Sequence, residues 1–266
     1  MLPQKKHTDE KQQKTGLTLS GGGTKGIAHA GVLKFLEEKN IRPSIISGAS
    51  AGSIVAALYG IGKTPEQILH FFKSVQFFKW SHFVFNRPGF INSDAFKTYF
   101  RPVFGDKRIK DLEIETHIVS TDLVSGNTIV FGGDTRIIDA VIASSAFPGV
   151  TTPYPLDEVL YADGGILNNF PADVIRNKCD QLIGVYASPQ QVLTRSQLNS
   201  IKAITVRAFD LLAFRIEQPK FQYCDWFICP RELSAYGTFE TKHSRMDEIF
   251  EIGYKEAKAT YKDDLF

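Results

Sequence analysis

The fold is decided within residues 16–60, GLTLSGGGTKGIAHAGVLKFLEEKNIRPSIISGASAGSIVAALYG. Residues 16–20 form a short apolar run that stops at three glycines and is long enough only for a strand. Residues 25–39 then place Ala28, Val32, Phe35 and Leu36 at helical spacing. Ile41-Arg42-Pro43 breaks that helix before a second strand at 44–47, and a second helix is predicted over 53–59. Thr64 and Pro65 open a third helix, as N-cap and first helical residue. This strand–helix–strand–helix alternation argues for an α/β fold whose largely parallel sheet is covered on both faces.

Further along, strands are predicted at 116–121, 128–131, 159–162 and 181–186, and helices at 92–104, 135–146 and 171–177. Asn92 or Ser93 caps the first of these helices. Gly126-Asn127 is a hairpin signal, so at least one antiparallel pair joins the sheet. Residues 1–15 are polar and read as a flexible tail, and 16–266 as a single domain. The chemistry-bearing motifs lie within about 16–187. The remainder, 190–266, reads as mainly helical with one short strand at 225–228.

The chain has 266 residues, 43% hydrophobic and 23% charged, an ordinary globular balance. Lys and Arg total 31 against 29 Asp and Glu, and a net charge of +2 gives no reason to expect a nucleic-acid partner. Cys179, Cys224 and Cys229 are an odd set without a CxxC pair, so neither a disulfide framework nor a zinc site is implied, and a reducing compartment fits best. No stretch approaches the ~20 apolar residues of a membrane span, and no signal peptide or lipidation motif is visible. The expected setting is cytoplasmic, with peripheral visits to a membrane; a homodimer is compatible with everything in the sequence.

Three places carry chemistry. Gly21-Gly22-Gly23-Thr24-Lys25-Gly26 follows the first strand and opens a helix, which makes a pocket for negative charge: a phosphate, or an oxyanion formed in a transition state. Gly21, Gly23 and Gly26 match the dinucleotide fingerprint, but no acidic residue ends the second strand to hold a ribose. Lys25 is followed by Gly26 rather than Ser or Thr, so a phosphate loop fails as well.

Gly48-Ala49-Ser50-Ala51-Gly52 is GxSxG between a strand and a helix, the context a nucleophile elbow needs. Gly48 and Gly52 let strand and helix approach, and Ser50 is presented at the turn. A serine at its ordinary pKa needs a base. Five of the six histidines precede Asp163, and His243 lies in a polar stretch, so no histidine is well placed; His29 packs beside the glycine loop. Asp163-Gly164-Gly165 follows the predicted strand 159–162, and a carboxylate at a strand end can take a serine proton directly where burial raises its pKa.

These three motifs, in this order, resemble those of the patatin-like phospholipases: GGGx[RK]G, GxSxG and DG[GA]. The stretch Ala143-Ser144-Ser145-Ala146-Phe147-Pro148-Gly149 is similar to the family's segment before the aspartate strand. The resemblance covers about 16–187 and implies a three-layer α/β/α sandwich around a mostly parallel sheet. It also implies a Ser50–Asp163 dyad acting without histidine, metal or cofactor. Backbone N–H groups of Gly22 and Gly23, with Gly21, would bind the oxyanion. Lys25, Gly26, Gly48, Gly52, Gly164 and Gly165 would support the motifs, Lys25 keeping the charge of the family's arginine but not its bidentate reach.

The implied partner is a lipid ester, phospholipid or lysophospholipid before neutral glyceride, met at a membrane or micelle surface. Residues 71–90 hold eight aromatics: Phe71, Phe72, Phe77, Phe78, Trp80, Phe83, Phe85 and Phe90. They suit an acyl pocket, an interfacial lid flanked by Lys79 and Arg87, or plain core packing. Two readings from other classes compete: a nucleotide-binding protein using the glycine loop, and a lipid-binding regulator that keeps the fold without turnover.

Overall fold

A computed structural model describes residues 13–75 and 89–263. Its centre is one eight-stranded sheet. Five strands run parallel: β1 (Thr15–Leu19), β2 (Ile45–Ala49), β3 (Glu115–Asp122), β7 (Gln181–Val185) and β8 (Trp226–Ile228). They lie in the spatial order β8-β7-β1-β2-β3. Three more join by antiparallel pairing: β4 (Thr128–Phe131) and β6 (Val159–Asp163) both pair with β3, and β5 (Tyr154–Leu156) pairs with β6. The Gly126-Asn127 signal marks the β3–β4 hairpin, with Gly126 at φ 72°.

The register of β3 places the whole site. Its residues 115–119 pair with β2 and 118–121 with β4, so β2 and β4 take opposite edges. Residues 120–122 pair with β6 while 120 and 121 also face β4, which puts β6 on the edge already used by β2. Ala49 sits opposite Val119 and Asp163 opposite Ser120. The two strands therefore meet along one edge of β3, C-terminus to C-terminus.

Strand alternation sends side chains to two cores. Leu17, Leu19, Ile46, Ile183, Val185 and Ile228 go into the larger, with α1 (Ile27–Glu38), α2 (Ala51–Gly60), α3 (Pro65–Ser74), α5 (Ile137–Ser144) and α8 (His243–Thr260). A smaller core on the other face gathers Ile45, Leu182 and Phe170 with α6 (Ala172–Ile175). Phe214 of α7 (Ile201–Glu217) packs against it. The expected three-layer sandwich is the one observed. The predicted helix at 92–104 is realised as a 3₁₀ turn over Ser93–Phe96 running into α4 (Lys97–Phe104), with the Asn92 side chain accepting from the Asp94 N–H. Thr64 and Gln67 complete a capping box at α3, with Pro65 in its first turn.

One expectation needs amendment. The tail stops short of residue 15: β1 begins at Thr15, and the Lys14 N–H donates to Asp180 Oδ2 at 2.8 Å. The rest of the tail, 1–12, lies outside the described residues. Of the aromatic cluster, Phe71 and Phe72 on α3 are core and Phe90 is exposed. Phe77, Phe78, Trp80, Phe83 and Phe85 lie outside the described residues.

The C-terminal part is anchored by α8, which crosses α1 at backbone contact. A β-carbon at Gly31 would strike the Phe250 carbonyl, and one at Gly253 the Ala28 carbonyl. Gly253→Val is expected to cost about 1–3 kcal/mol through overpacking, lowering Tm by roughly 2–4 °C for each kcal/mol. Thermal melts followed by circular dichroism check this, with unchanged Tm as the contrary result.

Candidate active site

A single residue, Ser50, separates β2 from α2. To reverse the chain in so little length its backbone takes φ 51° and ψ −126°, a region that costs a non-glycine residue on the order of 1–3 kcal/mol. Surrounding bonds hold it there. The Ser50 N–H donates to Ser144 Oγ at 2.9 Å, and Ser144 Oγ in turn donates to the Val119 carbonyl at 2.6 Å. The Ser50 carbonyl accepts from the Ser53 N–H at 2.9 Å and from Ser53 Oγ at 2.6 Å. Small residues make the crossing feasible: a β-carbon on Gly52 would collide with the carbonyls of Leu19 and Ser20. Gly48 packs as tightly under the first turn of α2.

Asp163 is the last residue of β6 and is 3% exposed. Its N–H donates to the Ala146 carbonyl at 2.9 Å and its carbonyl accepts from Thr121 Oγ1 at 3.0 Å, so the backbone is held from both sides. Oδ1 accepts the Gly165 N–H at 2.7 Å. Oδ2 accepts the Ser50 hydroxyl at 2.6 Å. Burial pushes the carboxyl up to about 6, against the downward pull of its bonds to Ser50 and Gly165. At neutral pH it is an ionised acceptor poised near its own titration, as a proton-transfer partner should be.

The glycine loop lies against this pair: a β-carbon at Gly21 would stand 3.0 Å from Ser50 Cβ. The three glycines are not equivalent. The Gly21 N–H donates to the Asn169 carbonyl at 3.0 Å. That corrects its expected part in an oxyanion hole, since a spent donor cannot also serve an anion. The N–H groups of Gly22 and Gly23 have no hydrogen-bond partner among the described residues, and both glycines line the cavity in front of Ser50. Gly23 needs its positive φ of 58° to turn there. Gly26 packs on Ala51, Gly164 beside the Val119 carbonyl, and Gly165 beside Asn169.

Lys25 is buried with its side chain on the same cavity, and its ammonium has no hydrogen bond or ion pair among the described residues. Burial lowers its pKa, and the Asp210 carboxylate pulls the other way. The cavity measures about 360 Å³ and is lined by Ser50, Asp163, Gly22, Gly23 and Lys25, together with Arg207 and Asp210 of α7. Ile54, Phe72, Phe147 and Phe239 form one wall and also border a smaller recess of about 40 Å³ behind it. That recess continues into Phe71, Phe96, Phe100 and Ile142, an almost wholly apolar lining.

No histidine reaches the pair among the described residues. His29 is fully buried, donates from Nε2 to the Ser20 carbonyl at 2.8 Å, and is held neutral by burial, which lowers its pKa to about 4. His243 is exposed at the start of α8. His117 Nε2 lies 2.9 Å from Glu115. No group of three or more His, Cys, Asp or Glu among the described residues could hold a metal ion. Nor is any helix among them long and apolar enough to cross a membrane.

Two site residues escape sequence reasoning. Ser144 lies in the Ala143–Gly149 motif, but its bridge from the Ser50 N–H to the Val119 carbonyl joins three distant segments. Asn169 acts on Gly21 through its main-chain carbonyl, which any residue type could offer, so no side-chain signal marks it.

The fold and this geometry define an α/β protein with a serine elbow facing a buried carboxylate. The family model described as "Patatin-like phospholipase" matches residues 17–176. The chain belongs to that family. It is similar to an NTE family protein of Mycobacterium tuberculosis, 30% identical over 216 residues, covering 76% of this chain and 59% of that protein. Patatin-like phospholipase domain-containing protein 6 of Homo sapiens is 33% identical over 169 residues, 60% of this chain but 12% of that protein. The chain thus spans less than two thirds of the length of these relatives. Among solved structures it is similar to VipD from Legionella pneumophila, with TM-score 0.63 at 15% identity, covering 93% of this chain and 66% of that one. The type III effector ExoU gives TM-score 0.50 at 14% identity, over 93% and 53%.

The raised pKa of Asp163 has a sign for stability. Because the folded value of about 6 exceeds the ordinary 3.8, the folded state binds the extra proton between those values, so the favourable contribution is complete below about pH 4 and is lost as pH rises through 6. Asp163→Asn, which cannot ionise, is therefore expected to melt several degrees above the wild type at pH 8 and to lose that advantage at pH 4. Melts at the two pH values decide it; equal differences at both would contradict the burial effect.

Proposed function

We propose that the protein is a serine acyl hydrolase that cleaves carboxylic esters of lipids through Ser50 and Asp163. The observation carrying this reading is the 2.6 Å hydrogen bond from Ser50 Oγ to a buried carboxylate, at the floor of a cavity with an apolar recess. As Ser50 Oγ attacks the ester carbonyl, its proton passes to Asp163 Oδ2. Charge developing on the carbonyl oxygen faces the unpaired N–H groups of Gly22 and Gly23. Asp163 returns the proton to the departing alcohol, leaving an acyl-Ser50 ester. A water then attacks that ester, gives its proton to Asp163, and releases the fatty acid as Ser50 regains its hydroxyl.

Family membership supports a lipid acyl chain as the group transferred. The phenylalanine-lined recess suits such a chain, because a fatty acyl tail loses no hydrogen bonds on entering it. Lys25 and Arg207 sit in the same cavity on the polar side, where a phosphate-bearing head group would favour them.

A fluorophosphonate probe tests the nucleophile without knowledge of the substrate. Wild type is expected to label and Ser50→Ala not at all. On an ester substrate, Ser50→Ala should lose at least ~10³-fold in rate and Asp163→Asn about 10²–10⁴-fold, with His243→Ala unchanged. A folded wild type that refuses the probe with lipid vesicles present would overturn the hydrolase reading. Inactivity of His243→Ala would overturn the dyad. The profile of kcat/KM should fall about tenfold per unit below pH 6, where Asp163 protonates, and level off above it. A flat profile from pH 4 to 8 speaks against Asp163 as the base.

A further inference from the structure

Helix α7 has its apolar side turned outward. At 100° per residue, Ile201, Ile204, Leu211, Leu212 and Ile216 share one side of the helix, and all five are exposed, Ile201 at 87%, Ile204 at 57% and Leu212 at 66%. The inward side carries Arg207, Asp210 and Glu217, with Phe214 between them against the smaller core. Arg207 and Asp210 face the cavity that holds Ser50. Glu217 is buried and accepts from the N–H groups of Asn169 and Phe170 at 2.8 and 3.1 Å and from Lys220 Nζ at 2.8 Å. A surface helix of a globular protein is normally the other way round. Exposing such a stripe to water is unfavourable unless something apolar covers it.

Charge narrows the choice of cover. Between Asp180 and Asp210 the sequence contains no carboxylate, while it holds Arg195, Lys202 and Arg207. On the outward side of α7 the charged residue among those described is Arg215. An apolar stripe whose described charged residue is a cation complements the acyl–head-group boundary of an anionic bilayer. A second copy of the chain fits less well. A 17-residue helix is about 25 Å long and offers a strip of only ~250 Å², against ~800 Å² per partner in a stable interface.

We propose that the outward side of α7 docks into the surface of a phospholipid bilayer containing anionic lipid. The inward side of the same helix then sets the cavity mouth at the interface, where a lipid ester can enter without crossing bulk water. This inference rests on the lipid hydrolase reading for its purpose, but not for its test.

The test uses the full chain carrying Ser50→Ala, so that vesicles stay intact, with and without the pair Ile204→Asp and Leu212→Asp. Co-sedimentation is measured with phosphatidylcholine vesicles and with vesicles containing about 30% phosphatidylglycerol. The expected result is stronger binding to the anionic vesicles, weakened by salt, and a fall of about tenfold or more in the double variant. In the Ser50 background, turnover of a water-soluble p-nitrophenyl ester should be the same with and without the pair, showing the fold and site intact, while hydrolysis of vesicle lipid falls. Equal vesicle binding by parent and variant overturns the proposal. So does a parent that elutes as a dimer and becomes monomeric on substitution while binding vesicles as before, which would give the stripe to a second copy. If the wild type hydrolyses no soluble ester yet binds vesicles through α7, the docking stands and the hydrolase reading fails.

Discussion

The structure turns on one meeting of chain ends. Strand β2 arrives along an edge of β3 in one direction and β6 along the same edge in the other, so that Ala49 and Asp163 face consecutive residues, Val119 and Ser120. Neither strand can continue past the other. β2 must leave the sheet at Ser50 in a single residue, and β6 must leave after Asp163 through two glycines. The abruptness of both exits presents the two side chains to each other at the sheet's end, where neither has another partner of its strength. Ser120 and Thr121 beneath them bond the carbonyls of Ala162 and Asp163, which ties the arriving strand to the junction.

The junction stores two unfavourable terms close together: a positive φ at Ser50 and a buried carboxylate at Asp163. Each is sustained by groups around it rather than by local preference. Ser144 secures the Ser50 N–H while bonded to Val119, and the Gly165 N–H meets the carboxylate oxygen that Ser50 leaves free. A polar network buried this fully holds its members in one arrangement, because any departure leaves a donor or acceptor unmet. The glycine loop follows the same logic with a different outcome. One of its N–H groups closes the loop onto Asn169, and the next two border the cavity without a partner among the described residues.

The cavity is asymmetric in a way that suits an amphiphile. Phenylalanines of α3, of the segment after α5 and of the stretch before α8 close one side, and Lys25, Arg207 and Asp210 occupy another. Both ends are built from elements widely separated in the chain, with α7 contributing a charged inner side and an apolar outer one. The helix thereby joins the chemistry of the cavity to whatever lies outside it. It is attached by Phe214 against the smaller core and by Glu217 to the loop that also engages Gly21.

Much of this was legible in the residues themselves. Features that depend on a few neighbours are written locally: the glycines that permit the elbow at 48–52, the hairpin turn at 126–127, the Thr64–Pro65 helix start and the alternation of strands with helices. The pairing of GxSxG with DGG could be expected from the family likeness, but their contact follows from the register of β3, set by Ala49 facing Val119, 70 residues on, and Ser120 facing Asp163, 43 residues on. The diversion of the Gly21 N–H, the burial that raises Asp163 and the backbone crossing of α1 by α8 depend on which distant surfaces come together. The outward apolar side of α7 is the clearest instance. Only the packing decides which side of this helix is buried, because the inward side has both the cavity, where Arg207 and Asp210 lie, and the smaller core, where Phe214 lies, to face.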